Sequence, residues 1–258
     1  PASTAPQNCL REVRSSLEMD KPLVLVQEAD PDKGGGTLQA LRAECPEDLQ
    51  PDIFDKDWPL TIWYRIEEFQ LVSLKIIAEA PWATASRFIV LSVSQPAPLE
   101  PQALLLCSPN YRNQTSLPLC VSGEPESQSL VFAKQCTLWA SPANAGALDL
   151  ANEIAATFAG FTISTTDDRP ATATHMLLYL NENSFVSDER LAEQVKQARE
   201  DRLKIVMAHE NDPDLGGCPF SKFFETTPQE LIAGGLYKDL AKSCFPGRHR
   251  KVSLVLLA

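Results

Sequence analysis

The sequence predicts an α/β protein: a parallel β-sheet with helices on both faces, present in two copies of which the first is incomplete. Two observations lead to this prediction. Over residues 134–258, short apolar runs alternate with helical stripes, a pattern typical of a parallel sheet covered by helices. In addition, one stretch of chain occurs twice, as PLVLVQEADPDKGG over residues 22–35 and as LKIVMAHENDPDLGG over residues 203–217. Each stretch reads as a buried strand followed by an acidic turn that two glycines close.

The repeat extends beyond the turn. At an offset of 182 positions, six turn residues recur: Glu28, Asp30, Pro31, Asp32, Gly34 and Gly35 match Glu210, Asp212, Pro213, Asp214, Gly216 and Gly217. Pro46 and Leu49 match Pro228 and Leu231 at the same offset, and the tripeptide Val-Ser-Leu occurs at 72–74 and again at 252–254. This period is too long for a solenoid repeat of about 20–50 residues, so we predict a duplicated unit of about 180 residues.

Residues 1–80 hold the second half of the first copy. Leu10, Val13 and Leu17 share one helical face, and a strand is predicted at 22–26. A helix from Pro46 to Ile53 and a strand over 72–78 follow. Two strands do not make a domain, so we expect the missing part upstream of this sequence, in residues 86–133, or in another chain. The sequence opens partway through a repeat, which suggests a piece of a longer protein.

Residues 81–133 form a predicted connector. Prolines at 81, 96, 98, 101, 109, 118 and 125 argue against long helices in this segment. Short apolar runs lie between them, and a disordered linker would not contain so many Leu, Val and Phe residues. We therefore predict a packed, β-rich connector between the copies.

Residues 134–258 contain the more complete copy. Strands are predicted at 136–140, 161–165, 176–180, 205–209 and 252–257, and helices over 148–158, over 187–198 and from the capping box Thr227–Glu230 through Leu240. Five strands with three or four helices is the size of a flavodoxin-like, doubly wound domain.

The net charge, the cysteine pattern and the length of the apolar stretches limit the classes of function to consider. The net charge of −11 without basic clusters argues against nucleic-acid binding. Seven scattered cysteines without a CxxC motif predict free thiols in an intracellular, cytoplasmic protein. No apolar stretch approaches the ~18–20 residues that cross a bilayer, so no membrane span is predicted in this chain.

Residues 179–185, YLNENSF, followed by Leu191-Ala192-Glu193, resemble the third strand and following helix of a TIR (Toll/interleukin-1 receptor-like) domain. The resemblance implies a protein-interaction or scaffold module that binds protein partners or self-associates through its TIR-like faces. Some TIR domains instead hydrolyse the nicotinamide–ribose bond of NAD with a glutamate on the third helix. The matching residue here is Glu193, and the nearest candidate in the first copy is Glu12.

The repeated acidic turn is a further candidate site. Glu210, Asp212 and Asp214, with Asp30 and Asp32 in the first copy, offer oxygen ligands for Ca²⁺ or Mg²⁺, which predicts a divalent-cation-responsive module. The alternative is that these residues only shape the turn, since Asp bonds its own backbone and Gly permits positive φ. His209 ends its strand where the first copy has Gln27, so a role common to both copies does not need an imidazole.

Overall fold

The computed structural model describes residues 5–28, 30–91 and 135–258. The chain divides into two compact units. We call residues 5–91 unit 1 and residues 135–258 unit 2, and describe each by itself.

Unit 1 is a small sheet with four helices in its described part. Its elements are α1 (Ala5–Glu18), β1 (Leu25–Glu28), a 3-10 turn (Pro31–Lys33), α2 (Leu38–Glu44), α3 (Gln50–Phe54), β2 (Leu60–Trp63) and α4 (Glu67–Leu91). Strands β1 and β2 are parallel, with Val26 opposite Thr61. The two strands follow the same alternation of strand and helix that unit 2 shows.

Helix α4 corrects two predictions. Residues 72–78 were predicted as a strand, but they lie within this helix. The buried residues Phe69, Val72 and Ser73 are spaced i, i+3, i+4, which is the spacing of one helical face. The helix also continues through Pro81 to Leu91, so the predicted boundary at residue 80 lies inside it and the β connector does not begin at 81. The rest of the predicted connector lies outside the described residues.

Unit 2 has five strands in its described part. Its elements are β3 (Cys136–Trp139), α5 (Ala147–Thr157), β4 (Phe161–Ser164), β5 (His175–Leu180), α6 (Arg190–Glu200), β6 (Lys204–Glu210), α7 (Phe223–Thr226), α8 (Gln229–Ala233), β7 (Lys242–Cys244) and α9 (Arg250–Leu257), with 3-10 turns at Pro213–Leu215, Phe220–Lys222, Leu236–Lys238 and Gly247–His249.

The strand order β4-β3-β5-β6-β7 is parallel throughout. Numbered within unit 2, this is the order 2-1-3-4-5 of flavodoxin-like, doubly wound sheets. The predicted parallel α/β sheet is therefore confirmed, and four of its five strands lie where the sequence placed them.

The fifth strand was predicted wrongly. Residues 252–257 form helix α9, in which Val252, Ser253 and Leu254 are buried. The last strand is instead β7, only three residues long and beginning with two polar residues. A short edge strand of this kind carries no hydrophobic alternation that sequence inspection would detect.

Hydrophobic cores lie on both faces of the sheet, as alternation along β5 requires. Met176, Leu178 and Leu180 are in the core with α6, α7 and α8, whereas Leu177 and Tyr179 are in the core with α5 and α9. This strand also lies between β3 and β6, so both of its edges are paired and both of its faces are covered by helices.

The helix that opens at the Thr227–Glu230 capping box is shorter than predicted. It ends at Ala233, and Gly235 then adopts a left-handed conformation (φ 82°) before the 3-10 turn. The prediction of one helix through Leu240 was therefore wrong. Among the described helices, none is long and apolar enough to cross a bilayer.

Candidate functional site

The acidic turn after β6 is held by its own hydrogen bonds. The Asp212 side chain accepts from the Asp214 amide (3.0 Å), and the Asp212 carbonyl accepts from the amides of Leu215 and Gly217 (3.0 and 2.8 Å). Gly216 has φ +78°, which favours glycine. A Cβ on Gly217 would lie 2.6 Å from the Asn211 carbonyl carbon, so this position also requires glycine.

The turn after β1 has the same geometry, bond for bond. The Asp30 side chain accepts from the Asp32 amide (2.9 Å), and the Asp30 carbonyl accepts from the amides of Lys33 and Gly35 (3.1 and 2.9 Å). Gly34 has φ +84°. In both turns the preceding glutamate accepts from the amide of the first aspartate, at 3.0 Å for Glu28 and 2.8 Å for Glu210.

Gln27 and His209, each the last residue but one of its strand, make the same kind of contact. The Gln27 side-chain amide donates to the Gly36 carbonyl at 2.7 Å, and His209 Nε2 lies 2.7 Å from the Cys218 carbonyl. In each case the acceptor is nine residues further along the chain. Burial lowers the pKa of His209, which favours the neutral ring with its proton on Nε2. A hydrogen-bond donor is what the two positions share.

Glu210 is the centre of a buried polar network. It is fully buried, and its Oε2 accepts from the Tyr179 hydroxyl (2.7 Å) and from Arg250 Nη1 (2.6 Å). Its Oε1 accepts from the amides of Asn211 and Asp212. Arg250 also donates to Glu153 through Nε and Nη2, at 2.8–3.0 Å. The network joins β5, β6, α5 and α9.

The pKa shifts of Tyr179 and Arg250 keep both of these side chains protonated. Burial, together with the bond to Glu210, raises the pKa of Tyr179, so its hydroxyl stays protonated and donates. For Arg250, burial acts to lower the pKa, but the bonds to Glu153 and Glu210 outweigh it and the pKa is raised. Tyr179 and Arg250 therefore both donate hydrogen bonds to Glu210, and Arg250 also holds Glu153.

A cleft of about 480 Å³ lies at the carboxyl edge of the sheet, beside this network. In sheets of this strand order, ligands bind at that edge, between the strands where the order reverses. The charged side chains that line the cleft are Asp149, Glu153, Glu182, Asp214 and Arg250. An acidic lining of this kind would repel anionic phosphates such as those of NAD.

The predicted cation ligands already have roles in the turn. The carboxylates of Glu210, Asp212 and Asp30 each accept backbone amides of their own turn, and Asp214 lines the acidic cleft. Asp32 lies in the 3-10 turn after Asp30 and donates its amide to it. Within the described residues, no group of three or more His, Cys, Asp and Glu side chains is arranged to hold a metal ion. The geometry favours the turn-shaping alternative, and a cation site stays a prediction.

The two predicted catalytic glutamates are exposed on helices. Glu193 lies in the first turn of α6, while Leu191 and Val195 of that helix face the core. Glu12 lies on α1 and is also exposed. The residue 182 positions before Glu193 is Arg11, so the two units do not share a glutamate there.

Sequence reasoning missed the partners of Glu210. Arg250 is 40 residues away from Glu210 in sequence and 97 away from Glu153, and no motif links the three. It also missed Asn144, whose side chain bonds both the amide and the carbonyl of Tyr179, at 2.7 and 2.8 Å. The proline and glycine of the 140–146 loop were the available signal, because they mark a turn directly after β3.

No protein-family model matches the chain, and no curated protein or solved structure shows significant similarity to it.

Proposed function

We propose that the chain is a protein-interaction or scaffold module built from duplicated TIR-like units, of which the first is incomplete. Agreement between elements of the two units supports the duplication. Helix α1 ends at Glu18 and α6 at Glu200, and the 3-10 turns begin at Pro31 and Pro213, in both cases 182 positions apart. In both units the repeated strand also pairs in parallel with the next strand along the chain: Val26 is opposite Thr61, and Ala208 is opposite Lys242.

The last helices correspond as well. Ser73 on α4 and Ser253 on α9 are both fully buried. Each hydroxyl bonds the carbonyl four residues earlier, that of Phe69 at 3.2 Å and that of His249 at 3.3 Å. These are the residues of the repeated Val-Ser-Leu tripeptide.

One observation favours an interaction role: unit 1 exposes apolar residues where unit 2 buries them. Val26 is 49% exposed, whereas Ala208, 182 positions later, is fully buried. Leu74 is 45% exposed, whereas Leu254, 180 positions later, is 5% exposed. Within the described residues β1 pairs on one side, with β2, whereas β6 pairs on both. Exposed edge strands with apolar side chains are templates for binding another polypeptide.

Sedimentation velocity of the full chain over a range of concentrations tests this proposal. We expect concentration-dependent association of the chain. Val26→Lys and Leu74→Lys should each reduce its association constant at least tenfold. Met19→Lys is the matched control, because Met19 is also an exposed apolar residue of unit 1 but lies in the turn after α1 rather than on β1 or α4. A chain that stays monomeric, or one that all three substitutions affect equally, would contradict self-association through this surface.

NAD hydrolysis is the alternative function, and an activity assay distinguishes it from the interaction role. The exposed position of Glu193 and the acidic cleft do not favour it. Incubation with NAD, followed by measurement of released nicotinamide, should give the same rate for the protein and for Glu193→Gln. Activity that this substitution abolishes would replace the interaction role with an enzymatic one.

A further inference from the structure

The amino edge of the sheet in unit 2 brings a thiol and an imidazole into contact. Cys136 is the first residue of β3 and His175 is the first residue of β5, and the two strands are neighbours. Leu138 and Leu177, two residues after each, are in the core with α5 and α9, so Cys136 and His175 lie on that face as well. Cys136 Sγ is 3.5 Å from His175 Nδ1. This edge is opposite to the carboxyl edge, where the acidic cleft lies.

Two further side chains act on the imidazole. The Thr174 hydroxyl lies 2.9 Å from the same Nδ1, and it also accepts from the Thr137 amide at 3.0 Å, which holds it in place. Lys204 is opposite His175 on β6. Burial, with a contribution from Lys204, lowers the pKa of His175, so the ring is neutral near pH 7 and can accept a proton. A nucleophile, a base and a group that orients the base are the arrangement that nucleophilic chemistry needs.

A cavity of about 110 Å³ lies beside this pair. Apart from Cys136 and His175, the described side chains that line it are apolar, among them Leu138, Ile154, Phe161, Leu177, Val206 and Leu257. An apolar cavity of about 150 Å³ holds a benzene molecule, so this one has room for about four or five carbon atoms. A charged group would lose its hydration there without compensation. The cavity therefore fits a small, uncharged and largely apolar molecule.

The size of the cavity also restricts the kind of reaction. A thioester or a disulfide transfers only part of itself to a thiol, and the departing thiol would need further room. An α,β-unsaturated carbonyl compound adds to a thiol as a whole, without a leaving group. This addition removes a proton from sulfur and returns one to carbon, and a neutral imidazole next to the thiol can do both.

We propose that Cys136, with His175 as its base, is a covalent addition site for small, uncharged α,β-unsaturated carbonyl compounds. The thiol proton passes to His175 Nδ1, and the sulfur forms a bond to the β-carbon of the compound. The electron pair of the carbon–carbon double bond moves towards the carbonyl group, and the α-carbon then takes the proton from Nδ1. No oxidant or reductant is needed. The site does not depend on the proposed interaction role, because neither Val26 nor Leu74 contributes to it.

Two aldehydes of different length test the proposal on the full chain. The protein is incubated with crotonaldehyde or with its longer homologue non-2-enal, and peptide mass spectrometry follows adduct formation at each cysteine. Cys9 is the internal control, because it is exposed, whereas Cys136 is only 8% exposed. Access alone would make Cys9 the faster of the two. We expect crotonaldehyde to modify Cys136 at least tenfold faster than Cys9, and non-2-enal to reverse this order.

Two variants test the base and the cavity separately. His175→Asn removes the base, and Leu257→Phe narrows the cavity but keeps the thiol and the imidazole. Each should slow the reaction of Cys136 with crotonaldehyde at least tenfold and leave that of Cys9 unchanged. Leu240→Phe is the matched control for the second variant, because Leu240 is 89% exposed, and it should change neither rate. Melting temperatures show whether each variant is folded.

The unsubstituted chain alone can overturn the proposal. If crotonaldehyde modified Cys136 no faster than Cys9, the thiol would not be activated. If both aldehydes gave the same ratio of rates at the two cysteines, the cavity would not select its ligand. A folded His175→Asn variant that reacted at the original rate would show that the imidazole is not the base.

Discussion

The turns after β1 and β6 have the same backbone but different surroundings. In each, a glutamate at the strand end accepts backbone amides and also binds an arginine. Glu28 pairs with Arg65, whose side chain is half exposed, whereas Glu210 is fully buried and pairs with Arg250. The two arginines come from different positions in the units, one directly after β2 and one in α9. Local sequence sets the turn, whereas burial sets how much its ion pair contributes to stability.

The largest expected difference concerns these arginines. Arg250→Ala leaves Glu210 buried without its ion partner and should lower the free energy of unfolding by about 3–5 kcal/mol. Arg65→Ala removes a half-exposed arginine from its pair with Glu28 and should change the free energy of unfolding by no more than about 1 kcal/mol. Urea denaturation measures both when it follows the fluorescence of Trp139 alone for unit 2 and of Trp63 alone for unit 1, in chains whose other three tryptophans are replaced by phenylalanine. If the two variants lost equal amounts of unfolding free energy, burial would not be what distinguishes the two ion pairs.

A buried histidine gives unit 2 a pH dependence that unit 1 lacks at the equivalent position. Burial, with a contribution from Arg248, lowers the pKa of His249 to about 4. Phe69 occupies the position 180 residues earlier. Below its ordinary pKa of about 6.5, His249 takes up a proton in the unfolded chain but not in the folded one. Folding stability therefore falls as pH decreases from about 6.5 to 4, by about 3 kcal/mol from this residue.

His249→Phe introduces the residue that unit 1 has at the equivalent position, Phe69. It should remove the contribution of His249 to the loss of folding stability at low pH. Denaturation midpoints of both proteins at pH 7, 5.5 and 4 test it. Carboxylates titrate identically in the two, so their contribution cancels in the difference. Parallel midpoint curves would mean that His249 takes up its proton as readily in the folded state as in the unfolded chain.

The second glycine of each turn should be equally sensitive in the two units. A Cβ on Gly35 or Gly217 would lie 2.6 Å from backbone atoms of its own turn. Each Gly→Ala change should destabilise its unit by about 1–3 kcal/mol, because the backbone must shift. Thermal unfolding of the two variants measures this. A tolerated alanine at one position only would show that the turns are less alike than their hydrogen bonds indicate.

The smallest expected effect is that of Ca²⁺. Asp212→Asn keeps the side-chain oxygen that accepts the Asp214 amide, so stability should change by less than about 1 kcal/mol. Millimolar Ca²⁺ should leave the melting temperature of the protein and of this variant unchanged. A rise in the protein that Asp212→Asn abolishes would establish the cation-responsive alternative.

Several of these features could be predicted from the sequence. Strand β6 and its turn were predicted because an apolar run and an Asp-Pro-Asp-x-Gly-Gly motif act through local backbone preferences. The sequence also indicated that a role common to Gln27 and His209 does not need an imidazole, but not which carbonyl each side chain contacts. The helical structure of residues 72–78 and 252–257 was not predicted. In a short apolar run, the spacing of the hydrophobic residues does not distinguish a strand from a buried helix.

By itself, the sequence determined the local elements: the acidic turn after β1 and after β6, and the parallel α/β pattern of unit 2. These depend on backbone preference and hydrophobic period, which act over a few residues. Only the tertiary structure decided which arginine reaches each glutamate, that Glu193 is exposed, and that Val26 and Leu74 have no cover within the described part of unit 1. Such outcomes depend on contacts between residues far apart in the chain, because burial and charge pairing are properties of the packed structure.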